Sequence, residues 1–114
     1  MGNNLRRMCL SIPAPPPPNA AKALAVLGNP RRWLMVQMLA SGRALTASQM
    51  AAALGHDFDG VSKHMRVLRA AGLLASRHGA DRRLELYYIP EVFRPRPGIL
   101  DYGFCMFRIA EAPK

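Results

Sequence analysis

Apolar residues recur first at helical spacing and then at strand spacing, and the change falls near Leu73. Asn19 is a candidate N-cap for a helix over AAKALAVL, which Gly28 and Asn29 close. Pro30 suits the first position of a second helix, PRRWLMVQMLAS, where Trp33, Val36 and Leu39 recur as an apolar face and Gly42 marks the end. Thr46 should cap a short third helix, ASQMAAAL, with Gln49 completing a capping box and Gly55 ending it. Asp57 is the expected N-cap of a fourth helix that includes VSKHMRVLRAAGLL and stops at Gly72. At about 100° per residue, Val61, Met65 and Leu68 make its buried stripe, and Asp59, Ser62, Lys63 and Arg66 lie on the other side.

Beyond Leu73 the period falls to two. LLASRH and RRLELYYI read as paired strands with Gly79 to Asp81 as the turn. Leu84, Leu86 and Tyr88 alternate with Arg83, Glu85 and Tyr87, which predicts an apolar face carried by the first three. Pro90, Pro95 and Pro97 mark a loop. ILDYGFCMFRI, residues 99–109, has apolar residues at both parities and predicts one strand covered on two sides. The expected fold class is mainly α with a small β-hairpin wing and an extra C-terminal strand. Residues 1–18, which include PAPPPP, are expected to be a disordered proline-rich tail; a docking peptide for an aromatic groove is the other reading. Residues 19–93 would form the domain, and 94–114 a C-terminal strand segment.

Charge changes the picture. The 114 residues include sixteen Lys and Arg against seven Asp and Glu, a net +9 with pI near 10.8. That balance points to an anionic partner, nucleic acid before an acidic membrane or protein. Two cysteines, Cys9 and Cys105, make no disulfide framework, and His56, His64 and His78 form no metal-ligand spacing with them. No apolar run is long enough for a membrane span or a signal peptide, and Arg6 stands where a myristoylation signal needs Ser or Thr, so a cytoplasmic protein is expected. A serine-histidine-carboxylate set, a phosphate-cradling glycine loop and paired carboxylates are all missing, which argues against an enzyme.

Helix, helix, short helix, short turn, basic helix and basic hairpin in that order point to a helix-turn-helix. Such proteins lay the second helix of the motif in the major groove of duplex DNA. Ala51 to Leu54 supply small residues for close helix approach, and Gln49, Ser62, Lys63 and Arg66 supply polar groups at the groove. Arg77, His78, Arg82 and Arg83 flank the hairpin turn and could follow phosphates or enter the minor groove; a merely solvated tip is the alternative.

LGNPRRWLMVQML (27–39), VSKHMRVLRAAGLL (61–74) and SRHGADRRLELYYI (76–89) resemble the opening helix, the recognition helix and the wing of the ArsR-type winged helix-turn-helix family. The resemblance implies sequence-specific double-stranded DNA binding by a transcriptional regulator, usually as a symmetric dimer at a two-fold operator, with Ser62 and His64 at family contact positions and Lys63 at a position that is often basic; a homodimeric repressor is the expected regulator. His64 could instead be a boundary histidine beside Met65. Asp59 and Gly60 depart from the family pattern. Asp59 could accept from cytosine N4, repel phosphate, or simply favour the positive end of the helix dipole. Gly60 costs ~1 kcal/mol of helix propensity relative to Ala and would permit closer backbone approach.

The family's metal sites lie on the helix before the recognition helix and on a C-terminal helix. Here the first carries no Cys, His, Asp or Glu, and the second is replaced by PRPGILDYGFCMFRI, so neither metal nor cofactor is expected. Cys105 reads as a small core residue rather than a redox sensor. Because the family's first and last helices build its dimer, Leu24, Leu27, Tyr102, Phe104 and Met106 are the expected dimerisation residues, with 99–109 packing on the N-terminal helix or on a partner. A winged-helix module that reads protein is the competing function, and non-specific RNA binding is a weaker one.

Overall fold

Four helix starts are fixed by side chains that accept the otherwise orphaned amides of the first turn. In this computed structural model, which describes residues 18–109, Asn19 caps α1 (Ala20–Leu27) by accepting from Lys22 N. Asn29 caps α2 (Pro30–Leu39) by accepting from Arg31 N and Arg32 N. Thr46 and Gln49 close both halves of a capping box on α3 (Ala47–Leu54). Asp57 accepts from Gly60 N at the head of α4 (Phe58–Ala70). Gly55 ends α3 at φ 69°, a left-handed conformation that glycine adopts without a Cβ penalty.

The wing follows as an antiparallel pair, β1 (Ala75–His78) and β2 (Glu85–Tyr88), with Ala75 opposite Tyr88 and His78 opposite Glu85. Leu45, just before α3, adds a stub to this sheet by exchanging both backbone hydrogen bonds with Tyr87. A 3₁₀ turn over Glu91–Phe93 then leads to β3 (Ile99–Asp101) and β4 (Met106–Arg108), which form a second hairpin.

The core lies between these layers. Val26 and Leu27 of α1, Met35, Val36 and Leu39 of α2, Met50 of α3 and Val61, Met65 and Leu68 of α4 are all buried. Leu73, Tyr87, Ile89, Leu100 and Tyr102 close it from the strand side. Tyr102 is completely buried, donates its hydroxyl to Leu73 O at 2.8 Å, and packs its ring 5.0 Å from that of Phe93. Burial pushes its phenol pKa far above the usual value.

Several expectations need correction. The segment 99–109 is not one strand but two. Gly103 takes φ 92°, its amide donates to Asp101 Oδ1, and Tyr102 N donates to Cys105 O, which closes a tight turn. Its apolar residues occupy both parities because the turn resets the alternation. In the wing, Tyr87 is the buried residue, while Leu84 is exposed and Leu86 and Tyr88 are half-buried. The backbone pairing of Leu45 with Tyr87 puts that parity on the core, opposite to the predicted face. β2 begins at Glu85, because residues 79–84 form a loop closed by Gly79 N donating to Leu84 O rather than a three-residue turn. On α2 the buried face runs through Met35, Val36 and Leu39, and Trp33 is only half-buried, its ring 5.1 Å from that of Phe107 on β4. The tail lies outside the described residues except for Pro18, which is buried and stands where a Cβ added at Gly72 would meet it at ordinary contact distance.

Candidate nucleic-acid interface

The angular order of side chains around α4 divides the helix into three zones. Val61, Met65 and Leu68 face the core. Asp59, Lys63 and Arg66 point within about 50° of the opposite direction, with Ser62 beside them; the first three are exposed and Ser62 is half-buried. His64 and Arg69 sit on the two flanks, about 70° to either side of the buried stripe. Each flank is tied to a different part of the fold.

On one flank, Arg32 of α2 donates from Nε to His64 Nδ1 at 3.1 Å, and its guanidinium reaches back to Val26 O at 3.4 Å. The His64 pKa lies below its ordinary value, first because the ring is partly desolvated and then because Arg32, Arg31 and Lys63 repel an added charge; Asp57 opposes them. On the other flank, the Arg69 guanidinium is paired with Glu85 of β2 and bonds Ser76 Oγ of β1 at 3.0 Å. Ser76 donates to Glu85 Oε2 at 2.6 Å and Tyr87 to Oε1 at 3.1 Å, and Arg69 lies over the Tyr87 ring at 5.9 Å. The Ser76 hydroxyl, followed by the Tyr87 hydroxyl and the charge of Arg69, holds the Glu85 carboxyl below the usual carboxylate range against its partial burial.

A Cβ at Gly60 would lie 3.1 Å from both Asp57 carboxylate oxygens, so a side chain there would require the cap to shift by a few tenths of an ångström. Gln49 gives its side-chain oxygen to the Thr46 amide, which leaves only its NH₂ group for another partner.

At the wing, Arg77, His78, Arg82 and Arg83 are all exposed. Their charges are not equivalent. Arg83 is forked onto Asp81 at 3.2 and 3.1 Å, and Arg77 lies 5.7 Å from the Tyr88 ring centroid. Among the described residues, Lys63, Arg66 and Arg82 take part in no ion pair. The structure thus gathers Asp59, Ser62, Lys63 and Arg66 on one face and leaves His64 beside it. Sequence reasoning missed the roles of Arg69, Ser76 and Glu85. A helical wheel puts Arg69 off the groove face, but its wing partners become visible only with the register of β1 on β2.

The expected dimer residues separate into two groups. Leu27 and Tyr102 are buried within the protomer, whereas Leu24 and Met106 are exposed and Phe104 is half-buried. The C-terminal hairpin meets α2 through Phe107 and Trp33. Among the described residues, no group of three or more His, Cys, Asp or Glu could hold a metal ion. α3 carries none of these ligand types, and among the described residues a hairpin follows the wing. Cys105 is a half-buried free thiol, and Cys9 lies outside the described residues. No described helix is long and apolar enough to cross a membrane.

This architecture defines a winged helix-turn-helix. A helix-turn-helix domain model matches residues 27–77. A solved structure described as a possible transcriptional regulator for arsenical resistance is 30% identical over 60% of this chain and 69% of its own, with TM-score 0.54. HlyU from Vibrio cholerae N16961 is 26% identical over 61% of this chain and 70% of its own, with TM-score 0.55. Mb0332 from Mycobacterium bovis, described as a homodimeric winged helix-turn-helix DNA-binding domain and a possible ArsR-family regulator, shares the fold at 24% identity and TM-score 0.53; the match covers 61% of this chain and 62% of that one. No curated protein matches. The chain belongs to the ArsR-type family of winged helix-turn-helix transcriptional regulators.

Proposed function

We propose that this protein binds double-stranded DNA sequence-specifically as a homodimeric repressor in the cytoplasm, with α4 in the major groove and β1–β2 as the wing. The observation that carries the reading is the outer face of α4. Among the described residues, Lys63 and Arg66 have no ion-pair partner there and stand beside the hydrogen-bonding groups of Ser62 and Asp59. A major groove about 12 Å wide admits such a helix, and unpaired cations beside base-reading groups suit its phosphate walls and floor. Lys63 and Arg66 would position the protein, and Ser62, Asp59 and the free NH₂ of Gln49 would reach base edges. His64 would contribute from the flank, and Arg77, His78, Arg82 and Arg83 would follow the adjacent backbone. A dimer placed over a promoter represses by occupancy alone.

Dimerisation is supported by the homodimeric description of the Mycobacterium bovis relative. Leu24 on α1 and Met106 on β4, both exposed, and the half-buried Phe104 are the residues proposed for the contact. Leu27 and Tyr102 would support it only from beneath.

The test is selection from random duplex DNA with the purified protein and with a Lys63→Ala, Arg66→Ala variant. An enriched palindrome with half-sites about one helical turn apart, lost in the variant, is the expected result. Weak binding insensitive to salt, with no enrichment, would redirect the fold to a protein partner.

A further inference from the structure

Arg31, Arg32, Lys63 and His64 meet where the first turn of α2 runs beside α4. The two backbone amides that could make this helix end an anion site, those of Arg31 and Arg32, are already taken by Asn29 Oδ1 at 2.9 and 3.2 Å. What is left unanswered is side-chain charge. Arg31 and Lys63 are exposed, and neither belongs to an ion pair among the described residues. Asp57, whose charge opposes the cations around His64, is engaged with Gly60 N. His64 adds a defined donor. Its Nδ1 accepts from Arg32 Nε, so the neutral ring carries its proton on Nε2.

We propose that this seam is a second DNA anchor, in which one backbone phosphodiester bordering the groove is held by Arg31 and Lys63 and accepts from His64 Nε2–H. Arg32 is a positioning residue that fixes the ring and its tautomer. The inference rests on the DNA-binding reading above. Lys63 belongs to both the groove face and the seam, so a phosphate there lies on the wall of the groove that α4 enters. A phosphodiester oxygen takes two or three donors at once and neutralises charges that otherwise repel one another. Arg31 contacts no base in this arrangement and adds affinity without sequence preference.

The experiment uses the full chain and fluorescence anisotropy across a potassium chloride series, with the selected duplex and a random one. Arg31→Ala should weaken both duplexes by the same factor and lower the slope of log K against log salt by about 0.9, the release of roughly one counterion. Arg108→Ala, which removes the same charge from the C-terminal hairpin, should leave the slope unchanged. Long-range proton–nitrogen NMR should find the Nε2–H tautomer at His64 in the wild type and a mixture in Arg32→Met. An Arg31→Ala slope equal to that of Arg108→Ala and the wild type overturns the anchor while the DNA-binding reading stands. An Nδ1–H tautomer in the wild type overturns the role of Arg32 and His64. A wild type with no salt-dependent duplex binding overturns both readings.

Discussion

Tyr102→Phe separates a core residue from an interface residue by the removal of a single oxygen. The Tyr102 hydroxyl is fully buried and donates to Leu73 O at 2.8 Å. Leu73 is itself fully buried, so the abandoned carbonyl has no water to turn to. The ring keeps its packing against Phe93 and Phe104, with centroids at 5.0 and 6.3 Å, so the cost is confined to the hydrogen bond. A buried acceptor left unsatisfied costs about 1–3 kcal/mol. In a domain of this size, each kcal/mol is a fall in Tm of about 4–8 °C. Tyr102→Ala, which adds a cavity, should cost about 3–5 kcal/mol. Urea unfolding followed by fluorescence of the single tryptophan, Trp33, measures both changes, because Trp33 packs on Phe107 of the C-terminal hairpin and reports its release. The midpoint should fall at constant m. The loss should not depend on protein concentration beyond that of the wild type, and sedimentation should give the same association state. A loss below about 0.5 kcal/mol would mean that the carbonyl finds water, contrary to the burial. A loss that grows on dilution relative to the wild type would place Tyr102 in a subunit contact and refute the core assignment.

Glu85 has a depressed pKa, so its contribution to stability is present above the unfolded carboxylate value, about 4.3, and is lost as pH falls through the folded value; Glu85→Gln should remove that share of the acid sensitivity in urea midpoints taken between those limits. His64 also has a depressed pKa, and the consequence has the same sign in a higher pH window. The unfolded chain binds its proton more tightly, so stability rises as pH climbs through the folded value to the unfolded one near 6.5, and ring NMR should place the folded titration below about 6.5; a titration at or above that value would contradict the Arg32 contact. Thr46→Ala removes the hydroxyl half of the capping box and should cost about 0.5–2 kcal/mol by the same urea assay, with Gly and Ser ranking above Ala at that position. Arg69→Met should speed hydrogen exchange at the Tyr87 and Ser76 amides while leaving the centre of α4 protected, because it unties the wing from the recognition helix without touching the buried stripe.

The helical half was legible in the residues because its determinants are local. Asn19, Thr46 and Asp57 announce helix starts, and Val61, Met65 and Leu68 repeat at a period that only a helix satisfies. The strand half depends on partners far along the chain. Which parity of β2 faces the core is decided by Leu45, some forty residues upstream, and nothing in RRLELYYI itself selects Tyr87 over Leu86. The C-terminal hairpin carried one local signal, Gly103 between two apolar runs, which aromatic residues on both sides obscured. In the candidate interface, the outer face of α4 could be read from its charges. The flanks could not, because Arg32 with His64 and Arg69 with Glu85 are contacts across 32 and 16 residues.

Those two flanks explain how a helix with a mostly polar outer face holds its orientation before any DNA is present. Burial of three apolar residues fixes the depth of α4 but resists rolling weakly, because the stripe is narrow. Contacts about 70° to either side act at the largest lever arm against a roll. The two also differ in chemistry. The wing flank is an ion pair supported by two hydroxyls, and its strength falls with salt as any partly exposed pair does. The α2 flank is a hydrogen bond to a neutral imidazole and is nearly indifferent to salt, but it fails once Nδ1 is protonated. High salt therefore loosens the wing side alone, whereas protonation of His64 loosens the α2 side alone. A helix tethered by two contacts that fail under different conditions keeps the α2 contact when salt alone is raised and the wing contact when His64 alone is protonated.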